Sequence, residues 1–324
     1  GLSMLLSWLA VAAGLALLVY SADRFIFGSA GLARTLGVSP LVIGMVIVGF
    51  GTSAPEMAVS ALASAQGNPG ISIGNAVGSN LANVALILGF CALLKPILVR
   101  HAVLRVEMPV VLGVSVAVLL MCLDGTLTYR DGALLGLGLI GFLGWMLVSA
   151  RRGEAPIEPE GELPPPVPTF KAVAWILIGL VLLIASSQLL IWGAVNIARA
   201  FGISDLVVGL TVVAIGTSLP ELAASLTGLI KGEDDIALGN ILGSNLFNLL
   251  AILQAPAWIA PGPVPEGLLE RDLPVMLTFT GLLFLFALSW RRGRPPRINR
   301  VEGGILLTCY IVYTFYLIQT TPTA

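Results

Sequence analysis

Along this chain, runs of about 20 predominantly apolar residues alternate with short stretches of charge, glycine and proline, a length that lets a helix cross a ~30 Å hydrocarbon core. Read between their punctuation, the runs predict ten spans, at residues 2–27, 40–64, 72–94, 105–123, 131–150, 171–198, 205–230, 236–259, 272–290 and 303–320. None shows the every-second-residue alternation of a transmembrane barrel, so the expectation is an all-α integral membrane protein. The first run, Leu2 to Tyr20, has no basic segment before it and is too long for the apolar core of a signal peptide, so it reads as a span.

The pattern is written twice. At an offset of 165 residues Gly28 matches Gly193, Arg34 matches Arg199, Gly37 matches Gly202, Ser39 matches Ser204 and Pro96 matches Pro261. The same offset lays Gly51-Thr52-Ser53-Ala54-Pro55-Glu56 on Gly216-Thr217-Ser218-Leu219-Pro220-Glu221, and 74–83 on 239–248 without a gap. Such self-similarity marks a duplicated unit. Five spans is an odd number, so the second unit enters the membrane from the opposite side. The predicted fold is ten transmembrane helices arranged as two inverted-topology five-helix repeats, with a substrate site near the midplane between them. Residues 1–150 form the first repeat, with its motif at 49–83, and 171–324 the second, with its motif at 214–248. The linker 151–170, rich in proline and glutamate, cannot bury an apolar face and reads as exposed and semi-extended.

Composition agrees: 57% of residues are hydrophobic, 11% are charged, and mean hydropathy is +0.97. A net charge of −1, with no basic patch interleaved with aromatics, speaks against nucleic acid as a partner. Charge reports topology instead. With the N-terminus outside, 14 of the 17 lysines and arginines fall on inner segments, leaving only Arg130, Arg199 and Arg271 outside. The positive-inside rule therefore predicts a cell-membrane protein with both termini outside and the 151–170 linker in the cytoplasm. Cys91, Cys122 and Cys309 are isolated and read as packing residues. His101 reads as a solvated loop residue, Asp23-Arg24 as a pair closing the first span, and the five arginines between 291 and 300 as a topology determinant.

The candidate chemistry lies in the duplicated motifs. A charge at the bilayer centre costs roughly 2.5–3.5 kcal/mol even on insertion scales, so Glu56 and Glu221 mark a site. Pro55 has no N–H, which strips the Gly51 carbonyl of its helical partner, and such backbone is tolerated at membrane depth only where protein or a wet cavity receives it. Thr52, Glu56 and Ser60 are spaced i, i+4, i+8 with Ser53 beside them, and Thr217, Ser218, Glu221 and Ser225 repeat the stripe. Asn75, Ser79 and Asn83 form a second wall beside Gly74 and Gly78, expected to allow close helix approach; Asn240, Ser244 and Asn248 beside Gly239 and Gly243 reproduce it. The set offers carboxylates, hydroxyls, amides and carbonyls without sulfur or imidazole, a donor set suited to hard cations, calcium or sodium.

Gly-Thr-Ser-x-Pro-Glu paired with Gly-Asn-x-x-Gly-Ser-Asn resembles the two α-repeats of the cation/calcium antiporter superfamily. Over nearly its whole length the chain is most similar to prokaryotic sodium/calcium exchangers of the YrbG type; Tyr20 to Arg24 and Lys231 to Ala237 add to the likeness. The resemblance implies Ca²⁺ held by Glu56, Glu221 and the backbone carbonyls of Thr52 and Thr217. It implies Na⁺ held by Ser53, Ser79, Ser218 and Ser244 with the carbonyls of Gly49 and Ala214, Asn83 and Asn248 being counted in that set. It also implies a sliding pair made of the first and sixth spans. Many relatives carry an aspartate where this chain has Asn248, which argues against potassium coupling.

The function expected is therefore secondary antiport, Ca²⁺ exchanged for Na⁺ by alternating access, with Ca²⁺ extrusion driven by the Na⁺ gradient. The alternative is a Ca²⁺/H⁺ antiporter using the same glutamates. A channel fits the single inverted pair of motifs less well. An enzyme is not expected: the chain has a single histidine, His101, which reads as a loop residue, and no HExxH motif. No cofactor is called for, and the partners are the two ions and the lipid bilayer, with no obligate protein partner evident.

Overall fold

A computed structural model of the chain describes residues 1–152, 166–288 and 295–321. Among the described residues eight helices are long and apolar enough to cross a bilayer: α1 (Leu2–Leu36), α2 (Pro40–Ala65), α3 (Pro69–Leu94), α4 (His101–Cys122), α5 (Tyr129–Arg151), α6 (Thr169–Ala200), and, beyond a broken seventh, α8 (Asp234–Ile259) and α10 (Arg300–Thr320). The seventh, α7, consists of Thr211–Thr217 and Leu219–Ile230, which meet at 53°. The ninth, α9, runs from a widened turn at Leu268–Asp272 into Leu273–Ala287.

Local signals set the ends. Pro40 and Pro69 open α2 and α3, where the missing N–H costs nothing. Gly37 ends α1 in the left-handed region, φ 66°, with its N–H returning to Arg34. A capping box opens α10: Glu302 N–H donates to Asn299 Oδ1 at 2.8 Å, and Asn299 N–H donates to Glu302 Oε1 at 2.9 Å.

The ends of the spans verify the alternation. Four two-residue strands, β1 (Ile97–Leu98), β2 (Thr126–Leu127), β3 (Gly262–Pro263) and β4 (Arg297–Ile298), form two antiparallel clasps, β1 with β4 and β2 with β3. The β1–β4 face also carries the Arg34–Glu233 and Arg100–Asp235 ion pairs and a Lys95 Nζ bond to the Leu229 carbonyl, so the basic segments gather at one end of the molecule. The β2–β3 face carries the Arg199–Asp205 pair. Segments predicted to share a side do share one, as ten crossings require.

Burial separates core from rim. In α8 94% of the most apolar window is buried, against 17% in α5 and α10. The outer helices leave large apolar side chains such as Leu137, Ile140 and Phe315 exposed, a surface that lipid tails cover. The long helices α1 and α6 pack antiparallel. A Cβ on Gly28 would stand 2.7 Å from the Ala172 carbonyl, and one on Gly193 2.6 Å from that of Ser7, so glycine at these two repeat-related positions lets the backbones touch.

Three expectations need correction. The first span continues to Leu36 instead of closing at residue 27, because the charges of Asp23-Arg24 are satisfied inside the helical run. Asp23 pairs with Arg24 at 2.8 Å and with Lys231 at 2.6 Å, and the Arg24 guanidinium lies over the rings of Phe27 and Trp175. Val167, in the stretch read as an exposed linker, is buried against Gly31, and its carbonyl accepts from Thr35 Oγ1 at 2.5 Å. Residues 153–165 of that linker, and positions 289–294, lie outside the described residues. The exposed His101 opens a short helical turn, His101–Arg105, in place of a loop.

Candidate cation site

Two widened helical turns, Gly44–Val48 in α2 and Gly209–Val213 before the break in α7, sit at the 165-residue offset and lead into the glutamate motifs. Two more, Ala82–Leu88 and Asn248–Ile252, follow the asparagine motifs in α3 and α8. Such turns loosen the helical hydrogen-bond ladder beside functional sites. Pro55 does not break α2, which stays helical from Gly49 to Ala65, whereas α7 bends at Ser218 just before Pro220. The same motif thus has two backbone shapes.

Glu56 and Glu221, 5% and 2% exposed, bring their carboxyls against one another between the two units. Each leaves its Oε2 buried without a hydrogen-bond partner, as are Ser53 Oγ and Asn248 Oδ1. Buried oxygens left unpartnered cost free energy unless something compensates them, and a cation does so. The backbone behind each glutamate is pinned identically. Asn75 Nδ2 donates to the Glu56 carbonyl at 3.5 Å and to Ser60 Oγ at 3.2 Å; Asn240 Nδ2 donates to the Glu221 carbonyl at 3.3 Å and to Ser225 Oγ at 2.9 Å.

The asparagines read as a second wall do something else as well. Asn83 Nδ2 donates to Asn245 Oδ1 at 2.9 Å, and Asn248 Nδ2 donates to Asn80 Oδ1 at 2.8 Å, a reciprocal pair of bonds where α3 crosses α8. Asn80 and Asn245 were not singled out from sequence. Their signal was present: buried amides at membrane depth need partners, and the offset maps one onto the other.

The two halves of the site differ in one respect. Toward the basic face they are closed: Thr52 Oγ1 lies 2.9 Å from Asn240 Oδ1, Ser244 Oγ donates to the Gly49 carbonyl at 3.3 Å, and Gly239 and Gly243 press on the backbone of Gly44 and Met45. Toward the opposite face the counterparts are apart. Ala214, Thr217, Ser218 and Ser79 line a cavity of about 340 Å³ that reaches Tyr313 and Thr321. The expected close approach at Gly74 and Gly78 is therefore absent: both line this cavity, and a Cβ on either would meet nothing within 4 Å. A smaller cavity of about 80 Å³ touches Glu56, Asn75 and Thr217 and, from α6, Ser187 and Gln188. Among the described residues no three His, Cys, Asp or Glu side chains cluster, so the acidic component is the glutamate pair.

The family described as sodium/calcium exchanger protein matches residues 6–149 and 171–319. The chain is 49% identical to CaxA of Alkalimonas amylolytica over 321 residues, covering 98% of this chain and 100% of that one. It is 40% identical to the inner membrane protein YrbG of Escherichia coli strain K12 over 331 residues, covering 98% and 99%. The structure of the sodium–calcium exchanger NCX_Mj soaked with zero Na⁺ and Ca²⁺ superposes with a TM-score of 0.82 at 33% identity, covering 98% of this chain and 99% of that one.

Proposed function

The chain belongs to the sodium/calcium exchanger protein family, and from that premise we propose that it exchanges Ca²⁺ for Na⁺ by alternating access, moving Ca²⁺ out of the cytoplasm down the Na⁺ gradient. The observation that carries this reading is the apposed pair of glutamates, each with an unpartnered buried Oε2. Ca²⁺ takes six to eight oxygens, and Glu56, Glu221 and the Thr52 and Thr217 carbonyls supply the anionic centre of such a shell. Na⁺ occupies the flanks, drawing on Ser53, Ser79, Ser218, Ser244, Asn83, Asn248 and the carbonyls of Gly49 and Ala214. The unpartnered Ser53 hydroxyl favours Na⁺ as counter-ion, because a proton needs no oxygen cage.

Alternation follows from the unequal halves. With the Gly49 and Thr52 side shut and the Ala214 and Thr217 side open, cations reach the glutamates from the β2–β3 face. Exchanging the conformations of the two repeats opens the basic face instead. Positive-inside orientation makes the basic face cytoplasmic and the open cavity external, with residues 1–150 and 171–324 as the exchanging units.

The test is Ca²⁺ uptake into proteoliposomes of purified protein under an outward Na⁺ gradient or an outward H⁺ gradient. Uptake driven by Na⁺ alone is expected. Uptake driven by protons alone would replace this reading with Ca²⁺/H⁺ antiport at the same glutamates.

A further inference from the structure

The large cavity contains two charged side chains that the glutamate site does not use. Arg271 and Asp272, at the start of α9, line it between the outer surface and Thr217. The guanidinium is held by its neighbour: Arg271 Nε donates to Asp272 Oδ1 at 2.7 Å and Nη2 donates to Oδ2 at 3.3 Å. Tyr313 of α10, across the cavity wall, donates its hydroxyl to the same Oδ1 at 2.5 Å. A guanidinium stays charged at any working pH, so without its carboxylate a fixed positive charge would stand in the entrance of a cation route.

The repeat supplies an independent pointer. At the 165-residue offset Asp272 falls on Glu107, which opens the long helix of α4 as Asp272 immediately precedes that of α9. Each unit therefore places an acid at this matched position at the membrane entrance of its fourth helix, on opposite faces.

We propose that Asp272 is a specificity-determining residue of the external entrance, cancelling the Arg271 charge so that divalent cations enter the cavity. The proposal rests on the exchange reading above and adds a residue that does not touch the ion in the site. Coulomb energy scales with the charge of the ion, so a charge exposed in the entrance disfavours Ca²⁺ twice as strongly in free energy as it does Na⁺. Asp272→Asn is expected to raise the KM for external Ca²⁺ about tenfold and that for external Na⁺ about threefold, the square root, and both shifts shrink as ionic strength rises. Arg271→Gln, which leaves an unopposed carboxylate, is expected to lower the Ca²⁺ KM. The double variant R271Q/D272N returns it to within about twofold of wild type. Tyr313→Phe, which removes a tether but no charge, leaves it within about twofold.

The measurement is initial-rate Ca²⁺ transport by the full-length protein in right-side-out and inverted membrane vesicles, so that each face is read separately. Opposite KM shifts in the two single variants, confined to one vesicle orientation and cancelled in the double variant, bear the proposal out. Equal damage in Tyr313→Phe and Asp272→Asn, or a double variant no better than Asp272→Asn alone, shows a structural tether and overturns it. Unchanged KM values with normal wild-type transport overturn this inference alone. Absence of Na⁺-driven Ca²⁺ transport in the wild type overturns it together with the exchange reading.

Discussion

At the scale of single residues the chemistry concentrates in two carboxylates. Glu56→Gln or Glu221→Gln keeps the size of the side chain and deletes one anion from the buried site proposed for a divalent cation. Removing one partner from a buried charge pairing costs about 3–5 kcal/mol, so each variant is expected to depress Ca²⁺ uptake by about 100-fold or more. Circular dichroism and gel filtration should remain unchanged, since the Oε2 atoms make no hydrogen bond within the fold. Ser53→Ala, on a hydroxyl with no hydrogen-bond partner in the fold, is expected to raise the Na⁺ concentration for half-maximal exchange while shifting the Ca²⁺ KM by less than about twofold. Equal shifts for the two ions would remove Ser53 from the Na⁺ set. The glutamates, threonines and serines were legible in sequence because charge and hydroxyl are costly inside an apolar run and because they occur twice. The Asn80–Asn248 and Asn83–Asn245 bonds were not, since spacing places residues on a face without saying which facing amide answers them.

At the scale of helices, one motif takes two shapes. In α2 the stretch around Pro55 is a continuous helix pressed on α8, and in α7 its copy bends by 53° beside an open cavity. Hydropathy and the repeat predicted equivalent elements, and their difference arises from packing. Gly239 and Gly243 are covered by the α2 backbone, whereas nothing lies over Gly74 and Gly78. A helix-rim substitution tests this asymmetry. Gly78→Ala fills open cavity and is expected to leave stability within about 0.5 kcal/mol, whereas Gly243→Ala, whose Cβ would lie 2.1 Å from the Met45 carbonyl, forces the helices apart and is expected to cost about 1–3 kcal/mol or more. Thermal unfolding of the two variants in detergent decides; equal stability would contradict the asymmetric packing. The extension of α1 to Leu36 was hidden from sequence because Asp23 and Arg24 read as a boundary until Lys231 and the two rings were seen to accommodate them.

At the scale of the molecule, ten crossings and the inverted duplication were readable directly, since bilayer thickness sets span length and an odd number of spans per unit fixes inversion. The open side was not, because access belongs to one conformation and both use the same residues. Charge bookkeeping gives a further expectation. Glu56 and Glu221 balance one Ca²⁺ or two Na⁺, so a third Na⁺ leaves the loaded site positive and makes a 3:1 exchange electrogenic. Ca²⁺ uptake by Na⁺-loaded proteoliposomes should then accelerate when a valinomycin potential makes the lumen positive, the direction that drives net positive charge outward, and indifference to the imposed potential would exclude that stoichiometry. The claim on which all of this stands is that the two glutamates form one Ca²⁺ site that Na⁺ competes for. Equilibrium ⁴⁵Ca²⁺ binding to the purified protein is the decisive test: one Ca²⁺ per chain is expected, displaced by Na⁺ with a sigmoidal dependence and lost in Glu56→Gln. Binding that survives in Glu56→Gln, or that Na⁺ fails to displace, would contradict it.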